Sequence, residues 1–175
     1  MIEKHILGDF VPEGIEYLIL GSFYAKGLGI IPGYDWYYGS RYNQFWKIIE
    51  EVYKVKLPNK ESKIRLFTKL HIGLSDIIYS CERSAQNSSD GNLTNITYNH
   101  TLTRIIEGNN LKAIYFTSVY VRKAFHKLYC LSNENTSKIE LVTLPSPSPR
   151  FAKLNKAQKV QLYINLLPQK PAEFT

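Results

Sequence analysis

Cysteine is nearly absent: two in 175 residues, Cys81 and Cys130. Two thiols cannot build a disulfide scaffold, an all-cysteine zinc site or a four-thiolate iron–sulfur cluster. With no base assigned to either, both are expected to be packed side chains rather than nucleophiles. The histidines at 5, 71, 100 and 126 have no i, i+4 partner and no nearby cysteine, so no metal site is expected. No apolar run reaches the ~18 residues of a membrane span. The opening MIEKHILGDF carries acids and lacks an apolar h-region and a small-residue cleavage site. No secretory signal is therefore expected there, no membrane partner either, and the expected compartment is the cytoplasm. No G-x-x-x-x-G-K-[ST] loop occurs, and Gly27-Leu-Gly29 meets Pro32 at the sixth position of a dinucleotide fingerprint, with no helix after it. No cofactor is expected.

What is present fits a globular chain. Hydrophobic residues make up 44% and charged residues 21%, enough to bury a core, and the length sets one domain expected to span 1–175. The net charge of +7 is uneven. Residues 1–40 are acidic, whereas 41–70 hold eight Lys/Arg against three Asp/Glu and 138–175 hold six against two. Two separated basic stretches can fold into one face that follows a phosphate backbone, or can be two solvated helix faces.

Strand and helix patterns alternate. Tyr17-Leu-Ile-Leu-Gly-Ser-Phe23 reads as a buried strand stopping at a loop, and the Gly- and Tyr-rich segment 24–42 is long enough to be a functional loop. Phe45, Ile48, Ile49 and Val52 have helical spacing, with Asn43 suited to the N-cap. A second helix carries Ile64, Phe67 and Leu70. His71–Ile78 reads as one strand. The polar segment 84–101 reads as a loop; its glycosylation-type triplets at Asn87, Asn92, Asn95 and Asn99 are a coincidence of composition. A helix at 102–107, a strand at 111–117, a helix capped by Ser118, a strand at 139–144 and a helix capped by Asn155 with Gln158 complete the chain. The last helix is expected to carry Ala157, Val160, Ile164 and Leu167. This rhythm predicts an α/β fold, a three-layer αβα arrangement with a mainly parallel central sheet of about four strands. Ligands of such sheets bind beyond the carboxyl ends of the strands, here Gly21–Phe23, Ser75-Asp76, Thr117-Ser118 and Pro145–Arg150.

Two of those ends are rich in chemistry: Gly21-Ser-Phe23 with Tyr37-Tyr-Gly-Ser-Arg-Tyr-Asn-Gln-Phe-Trp46, and Leu144-Pro-Ser-Pro-Ser-Pro-Arg150. The order G-S-F, Y-Y-G-x-x-x-N-x-F-W, I-G-L-x-D-I-I-x-S-C-E-R and L-P-S-x-S-P resembles the uracil-DNA glycosylase superfamily. Within it, the pattern is most similar to the deoxyinosine (hypoxanthine) DNA glycosylase branch, and the blocks span residues 17–150.

The resemblance implies a uracil-DNA-glycosylase-like fold and a monofunctional enzyme acting on damaged DNA. It would flip a deaminated base and hydrolyse its N-glycosidic bond. The departing base delocalises negative charge, so preorganised amide donors and a positioned water supply much of the stabilisation. No lysine inside the two segments offers a Schiff base, which fits hydrolysis better than lyase chemistry. Asn43 matches the catalytic asparagine, orienting water or binding the base; from spacing alone it caps a helix. Tyr38 matches the aromatic that stacks on the flipped base, worth about 1–3 kcal/mol. Gly21, Ser22, Phe23, Asp76 and Ser146 would line the base pocket. Ser148, Arg41 and Arg150 would meet DNA, with Arg150 entering the duplex, gripping the backbone or standing as a surface charge. Phe45 and Trp46 are expected in the core. A monomer is expected.

The chain also departs from that family's pattern. Tyr24 stands where proline usually follows G-S-F, and Gly39-Ser-Arg-Tyr-Asn43 replaces G-H-P-R-N. Base preference therefore stays open between hypoxanthine, uracil and xanthine. Asp35 or Asp76 could activate water in place of Asn43. Two rivals accompany the enzyme reading: a non-catalytic nucleic-acid-binding or nucleotide-binding module of the same fold, and an unrelated hydrolase of free nucleosides.

Overall fold

In the computed structural model, residues 1–24, 35–85, 89–129 and 137–169 are described. Gly27, Gly29, Pro32, Asn87 and Cys130, singled out above, lie outside them. In chain order the strands are β1 (Ile2–Lys4), β2 (Tyr17–Gly21), β3 (Ile72–Asp76), β4 (Ile78–Arg83), β5 (Leu93–Tyr98), β6 (Ala113–Phe116) and β7 (Glu140–Thr143). The α-helices are α1 (Phe45–Tyr53), α2 (Lys60–Lys69), α3 (Leu102–Glu107), α4 (Val119–Leu128) and α5 (Lys156–Leu166).

The apolar runs become a four-stranded sheet, ordered β3-β2-β6-β7 and parallel throughout. The runs lack polar alternation because both faces are covered. Leu74, Ile19, Tyr115 and Val142 stand in register across the sheet and pack against α1, α2 and α5. One residue along, Leu20 and Phe116 pair and face the other way, towards α3 and α4. Period-two alternation thus separates two cores on either side of one sheet, the expected αβα layering.

On the α3–α4 side the fold adds a second, antiparallel sheet, β1-β4-β5. It corrects two expectations. His71–Ile78 is two strands, broken at Ile77, whose N–H bonds Gly21 O while its C=O accepts from Asn99 N. The polar segment 84–101 contains β5. Its apolar positions, Leu93, Ile96 and Tyr98, turn to the core, but Asn95 at φ +48° is an extra residue that breaks the alternation a strand would otherwise show. Ser118 and Asn155 cap their helices as expected, the latter in a reciprocal box with Gln158. Along α5 and its C-cap, Val160, Ile164 and Leu167 pack into the core as expected, joined by Lys159 and Tyr163, whereas Ala157 is exposed.

A polar knot joins the two sheets. The Asn99 amide donates to Asp9 at 3.0 Å, to Ser75 Oγ at 3.2 Å and to Asp76 O at 3.1 Å, and Ser75 Oγ donates to Asp9. So Asn99, one of the glycosylation-type triplets, is buried. Replacing it with alanine strands several acceptors, and Asn99→Ala is expected to lower unfolding free energy by about 1–3 kcal/mol, read from urea denaturation.

Candidate functional site

From β2 the chain crosses one face of the sheet to β3; from β6 it crosses the other face to β7. The loops after these neighbouring strands therefore diverge and leave a crevice at the carboxyl ends. There the structure holds a cleft of about 1190 Å³. Ser22, Phe23, Tyr38, Asn43, Asp76 and Ser146 line it, and so do Arg41, Ser148 and Arg150. Asp35 is exposed and not among the lining residues.

Gly21 lies behind the wall, and its role is steric. A Cβ there would stand 2.2 Å from Asp76 Oδ1 and 3.1 Å from the Tyr38 hydroxyl. The missing side chain is the space that carboxylate and phenol occupy. Tyr38 adopts φ +55° and stacks on Phe45 at 4.0 Å between centroids while still lining the cleft. Its hydroxyl is shut off from solvent with no hydrogen-bond partner among the described residues. Burial, then the Asp76 charge, raise its pKa well above the usual phenol value; Thr117 lies close enough to oppose this slightly.

Asn43 does not occupy the N-cap position. Helix α1 starts at Phe45 after Gln44, whose side chain makes no cap bond. Asn43 reaches over it, and its Oδ1 accepts the Phe45 N–H at 2.9 Å. One orphan amide of the helix is satisfied from a residue further back. The acceptor end of the carboxamide is thereby engaged, and Nδ2, a donor, has no partner among the described residues. Phe45 and Trp46 are core residues, as expected.

The Pro-Ser-Pro-Ser-Pro segment is tied to the start of α1. Pro147 O accepts from Gln44 N at 3.0 Å. Lys159, 1% exposed, sends Nζ to Gln44 Oε1 at 3.1 Å and to Ser148 O at 3.0 Å. Burial lowers its pKa. Within the segment, Ser146 Oγ accepts from Ser148 N and Ser148 Oγ from Arg150 N, both at 3.3 Å. These hydroxyls shape the turn as well as facing the cleft.

Three site residues were not legible in the sequence: Lys159, Asp90 and His5. Asp90 enters from the short 3-10 turn before β5 and accepts the Ser22 hydroxyl at 2.6 Å. Burial first, then the Asp76 charge, raise its pKa, against Ser22 and Arg83. His5 Nε2 meets Asp76 Oδ2 at 2.8 Å, with both side chains almost fully buried. Phe23, Tyr24 and Tyr37 surround the imidazole at ring distances of 5.7, 5.7 and 6.1 Å. Only Asp90 had a local signal, an acid in an otherwise uncharged polar run.

Among the described residues no three His, Cys, Asp or Glu side chains gather to hold a metal, and no helix is long and apolar enough to cross a membrane. No protein-family model and no curated protein matches the chain. Among solved structures, the chain is similar to the solution NMR structure of a "putative Uracil DNA glycosylase" from Methanosarcina acetivorans. The TM-score is 0.67 at 23% identity, covering 94% of this chain and 98% of the other. The likeness establishes a uracil-DNA-glycosylase-like fold.

Two expectations follow from these contacts. Lys159→Met keeps the stem but strands Gln44 Oε1 and Ser148 O, and is expected to cost about 1–3 kcal/mol in chemical denaturation. Asp90 is an acid with a raised folded-state pKa, so its contribution is favourable at low pH and lost as pH rises through that pKa. Asp90→Asn should therefore melt above the wild type near neutral pH, the gap closing as pH falls below about 4.

Proposed function

We propose that this chain is a monofunctional DNA glycosylase of the uracil-DNA glycosylase superfamily, similar to its deoxyinosine-acting branch. It takes a deaminated base out of damaged duplex DNA and hydrolyses the N-glycosidic bond. The observation that carries the reading is the meeting of Tyr38 and Asn43 in one cleft, between the loops after β2 and β7. The fold supports it, and so does the name of its structural neighbour.

Each side chain has a task in that reaction. Tyr38, braced by Phe45, offers a ring to an extruded base. Asn43 Nδ2 donates to an oxygen or ring nitrogen of the base, where negative charge collects as the bond breaks. Ser22, Phe23 and Ser146 close the pocket, with the Asp76 carboxylate at its floor. Arg41, stacked on the exposed Tyr42 at 5.8 Å, and Arg150, also exposed, stand at the mouth where phosphates would pass. Ser148 shapes the turn that carries Arg150. Hypoxanthine is the first expected base, with uracil and xanthine next; the reaction calls for no cofactor.

The test is base release from duplexes carrying deoxyinosine, deoxyuridine or deoxyxanthosine, followed by alkali to reveal abasic sites. The wild type should break at least one, less well as salt rises. Asn43→Ala should slow release by about 10²–10³ with duplex binding retained, and lose about 1 kcal/mol of stability with the Phe45 amide bond. Binding without release from any lesion would favour the non-catalytic module. Release from free nucleosides, insensitive to salt, would favour the nucleoside hydrolase.

A further inference from the structure

We infer that the water attacking the sugar is received by Asp76 rather than Asn43, and that His5 is the positioning residue that aims the Asp76 carboxylate. The inference rests on the glycosylase reading and divides its chemistry between two side chains.

The starting point is what each group has left to offer. A hydrolytic water needs an acceptor for its proton. Asn43 already commits Oδ1 to the Phe45 amide, so the end it offers is a donor. A donor serves the departing base and cannot take the proton of the water. Among the described residues two carboxylates line the cleft, Asp76 and Asp90. One Asp90 oxygen is occupied by the Ser22 hydroxyl at 2.6 Å, and its desolvated environment favours the protonated form.

Asp76 is arranged differently. It ends a central-sheet strand, and its backbone oxygen is pinned by Asn99. Oδ2 is taken by His5 Nε2, while Oδ1 has no donor among the described residues. Oδ1 is also the atom that occupies the space above Gly21. One oxygen is fixed and the other is presented. Against a carboxylate, Nε2 carries the proton, and the three surrounding aromatic rings hold the imidazole in place. A preset orientation of this kind is how a second group raises the effectiveness of a general base.

The step balances. The C1′–N bond breaks and its electron pair leaves with the base, whose negative charge Asn43 Nδ2 stabilises by donating a hydrogen bond. The water oxygen bonds to C1′ and its proton passes to Asp76 Oδ1. Solvent then takes that proton and reprotonates the free base, leaving a C1′ hydroxyl on an abasic sugar.

The experiment measures single-turnover release from the duplex lesion that the full-length wild type cleaves fastest, alongside melting and duplex binding. Asp76→Asn is expected to slow release by about 10²–10⁴ with binding retained. In Asp76→Ala, added formate should restore part of the lost rate by supplying a carboxylate in the vacated space. His5→Phe keeps the aromatic packing and removes the donor; a loss of about tenfold or more is expected. His5→Gln, whose amide N–H can meet Oδ2, should recover most of that loss. A merely structural pair would lower melting in both His5 variants without the rate following the donor, and that result overturns the inference. So does Asp76→Asn releasing base at the wild-type rate while Asn43→Ala is slow, which leaves the glycosylase reading standing. A wild type that releases no base from any duplex overturns both.

Discussion

A parallel sheet covered on both faces leaves polar chemistry one exit, the ends of its strands. Here every residue between Leu18 and Leu20 and between Ala113 and Phe116 is committed to one of two apolar cores. A charged group anywhere along them would be desolvated without compensation. The carboxyl ends escape this limit because the loops after β2 and β6 part to opposite faces. Asp76 is the last residue of its strand, and Gly21, its registered partner on β2, is the last of the next. The site begins at the residue pair where the ladder stops.

Inside the cleft, several polar groups are already engaged with one another. Asn43 Oδ1 holds the first amide of α1, and Ser146 and Ser148 hold successive amides of their own segment. Gln44 uses both its backbone N–H and its side chain, the one on Pro147 and the other on Lys159. The result is a frame joining the loops after β2 and β7. Among the valences left over are a carboxamide N–H₂, a carboxylate oxygen and a phenol. The enclosed Tyr38 hydroxyl is the costly one, since an unsatisfied buried hydroxyl typically loses about 1–3 kcal/mol. A group kept at that disadvantage calls for an explanation in function, and a base arriving beside it would supply one.

What could be read in the sequence was what depends on local pattern. Buried strands, helix caps at Ser118 and Asn155, and the four strand ends that meet in the cleft all follow from spacing and end-residue chemistry. Asn43 and Tyr38 were legible through their motif, though the caps rule placed Asn43 one residue too near the helix. What stayed hidden depends on contacts across the fold. Lys159 reads as a solvated helix charge, since nothing within five residues reveals the carbonyl and amide oxygens that meet it. His5 lies 71 residues from Asp76 in sequence, just after a strand of three residues. Strand β5 was masked by the bulge at Asn95, which puts two exposed residues where alternation allows one.

The charge layout gives the proposed chemistry its sense of direction. Cations stand at the rim, with Arg41 and Arg150 exposed, while the carboxylates Asp76 and Asp90 lie deeper and partly desolvated. A phosphate chain would be met at the mouth, before anything buried has to change. Glycosidic cleavage then develops positive charge on the sugar, and a negative group near it acts in a poorly screened environment, where it is worth more than in water. Desolvating two carboxylates works against the fold. In an enzyme whose transition state carries a cation, the same arrangement favours the reaction, because the negative charge that the free protein stabilises poorly is the one that attracts the positive charge the sugar acquires.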